Sequence, residues 1–175
     1  MGTTMRSGWI EAPEYGHLLA ALTPPNRLAL EVSACTGLRI GDVLNLRTAQ
    51  LAERMTVREL KTGKTRRVRL PGHLLDRLIG QAGKVWAFEG RCDYRLHRTR
   101  QAVYKDLRRA ARLFRVAAHV SPHSARKIYA VEEYRRTGSL RRVQELLKHD
   151  NEAVTMLYAM ADQLEDRRQK GRPAK

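Results

Sequence analysis

The spacing of apolar positions along this chain changes twice, from helical to extended and back to helical. Residues 9–22 predict a first helix, with Trp9, Leu18, Leu19 and Leu22 as its contacts and Pro24-Pro25 ending it. Residues 27–34 carry Leu28, Leu30, Val32 and Ala34, apolar on most sides, so this helix is expected at the centre of the core. Gly37 can end it in the left-handed conformation. Asp42 is then expected to cap or charge-complement a short helix reaching Leu46, which leaves Arg39 in the turn between. Alternation begins after Gln50: residues 55–60 and 65–70 predict two strands joined as a hairpin through Lys61-Thr62-Gly63-Lys64, with 46–51 a candidate third strand.

Helical spacing then returns. Residues 72–79 place Leu74, Leu75, Leu78 and Ile79 on one face, and 80–92 read as irregular, with 85–88 a short extended piece. Residues 99–115 predict a helix with Val103, Leu107, Ala110, Ala111 and Phe114 inward and Arg100, Lys105, Arg108, Arg109, Arg112 and Arg115 outward. Ser121 at the N-cap and Pro122 at the first helical position start another helix, which stops at Thr137-Gly138. Ser139 caps the next, striped by Leu140, Val143, Leu146 and Leu147. A last helix over 152–164 has Val154, Leu157 and Ala161 on one face and Tyr158 beside it. The fold class expected is α+β and mainly α-helical.

Charge sharpens this picture. Lys and Arg number 34 against 18 acids, a formal charge of +16, which on a folded chain of 175 residues points to a polyanion partner. Nucleic acid fits better than a membrane. No apolar run approaches the roughly 20 residues that span a bilayer, and no basic amphipathic anchor is evident. No apolar segment follows residues 1–7 as a secretory signal would require, so a cytoplasmic location is expected. Cys35 and Cys92 are far apart and lack metal-ligand spacing, so they are read as reduced thiols, with no metal and no cofactor expected.

Candidate chemistry concentrates late in the chain. His123 and Arg126 lie three apart at a helix start, where free N–H groups and the helix dipole favour an anion. His149 and Tyr158 follow. Taken singly, each of these residues has a simpler role: Arg39 as a surface cation, Lys61 and Lys64 as hairpin-tip charges, Tyr158 as a core or rim side chain.

Their order is more telling. Residues 36–46, from Thr36-Gly37-Leu38-Arg39 to Leu44-Asn45-Leu46, resemble the first arginine box of the tyrosine recombinases, or phage-type integrases. Lys61-Thr62-Gly63-Lys64, with Arg66-Arg67-Val68-Arg69-Leu70-Pro71, is similar to that family's lysine-bearing hairpin. Pro122-His123-Ser124-Ala125-Arg126 matches its His-x-x-Arg box, Glu145-Leu146-Leu147-Lys148-His149 its second histidine, and Thr155-Met156-Leu157-Tyr158 its nucleophile. The resemblance covers about residues 9–162. Two local departures are Arg69 where the family's hairpin usually has proline, and Lys148 where glycine usually precedes the second histidine.

The resemblance implies the recombinase catalytic-domain fold, with its small antiparallel sheet at one edge. It also implies a DNA transesterase that needs neither metal nor ATP. Tyr158 would be the nucleophile forming a 3′-phosphotyrosyl bond, Arg39 and Arg126 would hold the phosphate with His149, and His123 would accept the tyrosine proton or share phosphate contact. Lys61, with Lys64 as the alternative, would be the general acid, and Asp42 would orient the Arg39 segment. Lys64, Arg66 and Arg67, together with Arg100, Lys105, Arg108, Arg109 and Arg112, are the candidate DNA contacts. Residues 1–164 are expected to form the catalytic domain and 165–175 a basic tail. The family's usual N-terminal DNA-clamping domain is not expected here, so the chain would be a fragment, a minimal enzyme or the user of an accessory protein. The implied assembly is a homo-tetramer on double-stranded DNA, formed from monomers. Two alternatives are a type IB topoisomerase-like activity and a non-catalytic DNA-binding regulator. Candidates at all six catalytic positions favour the enzyme.

Overall fold

The computed structural model describes residues 10, 12–116 and 120–147, and the chain divides into two compact units, 1–128 and 129–175, with the boundary inside a helix. Trp9, Lys148, His149, the 152–164 helix with Tyr158, and the 165–175 tail lie outside the described residues.

The first unit is built on α2 (Pro24–Thr36), which packs against α1 (Ala12–Ala20), α3 (Ile40–Leu44), α4 (Gly72–Gln81) and α5 (Arg100–Leu113). Its Leu28, Ala29, Leu30 and Val32 are all buried, as an all-round apolar helix requires. Pro24-Pro25 begin α2 rather than only ending α1, because a proline at the first helical position gives up an N–H that has no intrahelical partner there. Asp106 on α5 secures this start. Its carboxylate accepts the Thr23 N–H and hydroxyl, each at 2.9 Å, and the Asn26 amide at 2.8 Å. Burial pushes the Asp106 pKa up, but the hydrogen bonds from Asn26, Thr23 and Arg109 outweigh it and hold the carboxyl below the ordinary value.

The sheet has two antiparallel strands, β1 (Arg54–Arg58) and β2 (Thr65–Arg69), with Met55 opposite Val68 and Val57 opposite Arg66. The candidate third strand does not join it. Residues Thr48–Gln50 form a 3₁₀ turn, and Arg47 instead makes an isolated bridge to Trp86 in the short extended piece. There the Arg47 guanidinium lies 3.7 Å over the Trp86 ring.

Two apolar residues expected inside are outside. Ile79 is 54% exposed, because α4 buries only the narrower Leu74 and Leu78 stripe. Phe114 is 50% exposed, because α5 ends at Leu113 and the chain turns through Arg115 at φ 52°. At the other end of α5 the Thr99 hydroxyl accepts the Ala102 N–H at 3.1 Å.

In the second unit, α6 (His123–Thr137, begun in the first) closes at Gly138 with φ 65°. The Ser139 hydroxyl then accepts the Arg142 N–H at 3.2 Å and starts α7 (Leu140–Leu147), as predicted. Ala130, Val143 and Leu147 form a small core with Tyr129 and Tyr134 against it. None of the described helices is long and apolar enough to cross a membrane.

Candidate active site

Arg39 owes its position to a turn fastened at several points. Gly37 takes the left-handed conformation at φ 67°, and its N–H donates to Ser33 at 2.8 Å. The Ser33 hydroxyl donates to the Leu38 carbonyl at 2.7 Å, and the Leu38 N–H donates to the Thr36 hydroxyl at 3.3 Å. Leu38 and Ile40 are buried on either side, so Arg39 is the residue the turn presents, with its side chain 15% exposed.

Arg66 completes the fastening and corrects its expected role. It shares the buried face of β2 with Val68, and its guanidinium donates to the Thr36 carbonyl at 2.7 Å and the Gly37 carbonyl at 3.3 Å. The sequence reading put Arg66 among the DNA contacts. Strand alternation turns it inward, where it braces the Arg39 turn. Its neighbours Arg67 and Arg69 point outward on the exposed face.

Asp42 lies in the first turn of α3, as a charge complement to the helix start should, but does not cap it; Arg39 occupies the N-cap position and makes no side-chain cap. Asp42 instead reaches the hairpin, where one carboxylate oxygen accepts the Leu60 N–H at 2.8 Å. Its other oxygen is buried without a hydrogen bond. Burial raises the Asp42 pKa above the ordinary carboxylate value, the Leu60 hydrogen bond opposes this, Glu59 adds to the rise, and Arg39 and Arg126 pull it back. Arg39, Glu59 and Arg126 therefore all act on one buried carboxylate, although they come from the α2–α3 turn, the hairpin and α6.

His123 and Arg126, three apart on α6, differ in burial. Arg126 is buried and His123 is exposed at the first position of α6. The expected Ser121 cap is replaced by its partner three residues on, since the Ser124 hydroxyl accepts the Ser121 N–H at 3.2 Å. Lys61 and Lys64 are both exposed in the turn closing the hairpin, with Gly63 at φ 66°.

Sequence reasoning passed over Glu59. Its carboxylate is 2% exposed, lies 3.4 Å from Arg39 and accepts the Thr62 hydroxyl at 2.8 Å. The available signal was an acid one residue beyond a strand of alternating burial and two before the candidate lysine.

On α5, Tyr104, Lys105, Arg108, Arg109 and Arg112 line an open groove of about 530 Å³. Arg109 is held in place there by Asp106 at 2.8 Å and by the Ala21 carbonyl but stays exposed, as do Arg100, Lys105 and Arg112 of the expected DNA face, while Arg108 is half-buried. Arg100 lies beside the Arg39 segment, its side chain packed over Gly41. Among the described residues, no cluster of three or more His, Cys, Asp or Glu side chains is placed to hold a metal ion.

A mainly helical scaffold with a small antiparallel hairpin, against which the Arg39 turn is fastened, has the fold of tyrosine recombinase catalytic domains. The chain belongs to the phage integrase family, whose model matches residues 9–165. It is 29% identical over 163 residues to a tyrosine recombinase of Thermosipho africanus (strain TCF52B), covering 86% of this chain and 56% of that relative. The chain thus spans little more than half the relative's length. Solved structures of lambda integrase are among those that share the fold. A lambda integrase (75–356) dimer bound to a COC′ core site has a TM-score of 0.74 at 20% identity, covering 89% of this chain and 60% of that one. A lambda integrase tetramer bound to a Holliday junction has a TM-score of 0.68 at 21% identity, covering 85% and 48%.

Proposed function

We propose that this chain is the catalytic part of a site-specific DNA recombinase, with residues 1–164 as the catalytic domain and 165–175 as a basic tail. The observation that carries this reading is that the Arg39 segment meets the hairpin bearing Lys61 at two points, through Glu59 at 3.4 Å and through the Asp42–Leu60 hydrogen bond at 2.8 Å, with the buried Arg126 acting on the same Asp42 carboxylate. The Glu59 and Asp42 carboxylates meet these guanidiniums from one side, and the chain's charge of +16 favours a phosphodiester as the further anion they hold.

The reaction follows from these groups. The Tyr158 oxygen attacks the scissile phosphorus and gives up its proton to His123. A phosphorus–tyrosine bond forms, the phosphorus–O5′ bond breaks, and Lys61 protonates the departing 5′-oxygen, with Lys64 as the alternative donor. Arg39, Arg126 and His149 stabilise the charge that develops on the non-bridging oxygens. Bond energy is kept in the covalent link, so the reverse attack by a 5′-hydroxyl rejoins the strand. The lambda integrase dimer on a core site and tetramer on a Holliday junction support DNA as partner and assembly of copies on it.

The test uses a nicked duplex whose sequence has been selected from randomised DNA by binding to the protein. Wild type should give a covalent adduct that survives denaturation, and Tyr158→Phe should give none. Binding without any adduct would favour the regulator, and relaxation of supercoiled DNA without strand exchange would favour the topoisomerase-like activity.

A further inference from the structure

Glu59 is a buried acid to which the proposed chemistry gives no part. One carboxylate oxygen, Oε2, faces both the Arg39 guanidinium at 3.4 Å and the Thr62 hydroxyl at 2.8 Å. The backbone of the same residue closes the lysine turn: its N–H donates to the Lys64 carbonyl at 2.9 Å, and its carbonyl accepts the Gly63 N–H at 2.8 Å. Thr62 adds a further closure by accepting the Lys64 N–H at 3.3 Å. The next residue, Leu60, is the one whose N–H binds Asp42. Two neighbouring positions on the hairpin are thereby fixed to the Arg39 segment, one through a side chain and one through the backbone.

A carboxylate suits this place better than an amide. Both contacts fall on one oxygen, which an amide oxygen could also receive, but only the carboxylate brings a negative charge, and at 2% exposure that charge acts in a low-dielectric setting where pairing with arginine is strong. We propose that Glu59 is a positioning residue that couples Arg39 to the Lys61 turn, setting the arginine that grips the phosphate and the lysine that protonates the leaving oxygen in one register. This rests on the function proposed above.

The experiment uses the full chain with Glu59→Ala, Glu59→Gln and Thr62→Val on the selected nicked duplex. That duplex is made once with the ordinary phosphodiester and once with sulfur in place of the bridging 5′-oxygen. A thiolate leaves without needing a proton, so the sulfur substrate is indifferent to where the lysine sits. Misplacing a catalytic group by about 1 Å costs on the order of 10²-fold, so Glu59→Ala should slow ordinary cleavage by about that factor while DNA affinity changes little. The sulfur substrate should recover a large part of the loss. Glu59→Gln, which keeps an acceptor for Thr62, should fall between Glu59→Ala and wild type, and Thr62→Val should show a weaker form of the same pattern. Equal slowing on both substrates, or slowing in proportion to lost folded protein, would overturn the proposal.

Backbone hydrogen exchange separates the two readings. If wild type forms no adduct, the recombinase reading fails, yet Glu59→Ala should still speed exchange in the 60–64 turn and in the 38–40 segment together. Faster exchange confined to the turn would show that no coupling exists.

Discussion

The buried carboxylate of Asp42 accepts the backbone N–H of Leu60 across 18 residues of sequence, joining the turn of Arg39 to the hairpin of Lys61. Burial sets its titration, raising the pKa above 3.8, with Glu59 adding to the rise and the Leu60 N–H, Arg39 and Arg126 opposing it. A folded pKa above the unfolded one means that the fold favours the protonated acid. The stabilisation is complete below the unfolded value and is lost as pH rises through the raised folded value.

Asp42→Asn keeps a carbonyl acceptor for Leu60 and removes the titration. Urea unfolding from about pH 4 to pH 7 should then show the stability of wild type, relative to Asp42→Asn, falling as pH rises. A difference independent of pH would show that Asp42 does not titrate as its surroundings require.

Gly37 should tolerate little else. An alanine at its φ of 67° places Cβ against the following carbonyl, so Gly37→Ala is expected to cost about 1–2 kcal/mol in urea unfolding. Gly37→Asn should cost less, because asparagine enters the left-handed region more readily. Equal costs would point to crowding rather than backbone conformation.

Arg66 and Arg112, both read from sequence as DNA contacts, should separate cleanly. Arg66→Ala removes two donors from buried carbonyls, so it should lower stability by about 2–3 kcal/mol. Arg112→Ala, on the exposed face of α5, should change stability by less than about 0.5 kcal/mol. It should instead reduce the salt slope of binding to a labelled random duplex by about 1. A reduced slope for Arg66→Ala at unchanged stability would reverse the assignment.

Much of the fold was legible because its signals are local. Gly37 and Gly138 mark helix ends through backbone freedom that other residues lack, Ser139 starts a helix with its own hydroxyl, and alternation over 55–60 and 65–70 gives the hairpin. The positions of Arg39 in a rigid turn and of Lys61 at the hairpin tip follow from those same signals. Phe114 was misplaced because helical periodicity does not reveal the residue at which α5 stops.

What the sequence determined by itself was the set of elements and the chemical inventory, since propensity, capping and periodicity act within a few residues. Only the tertiary structure decided the partners. It turned Arg66 inward through the register that sets it opposite Val57, gave Asp42 in the first turn of α3 the Leu60 amide as its partner, and set Glu59 between Arg39 and Thr62. The physical reason is that a buried charge must find compensation wherever packing brings it, and in this chain that compensation lies about twenty to thirty residues away in sequence.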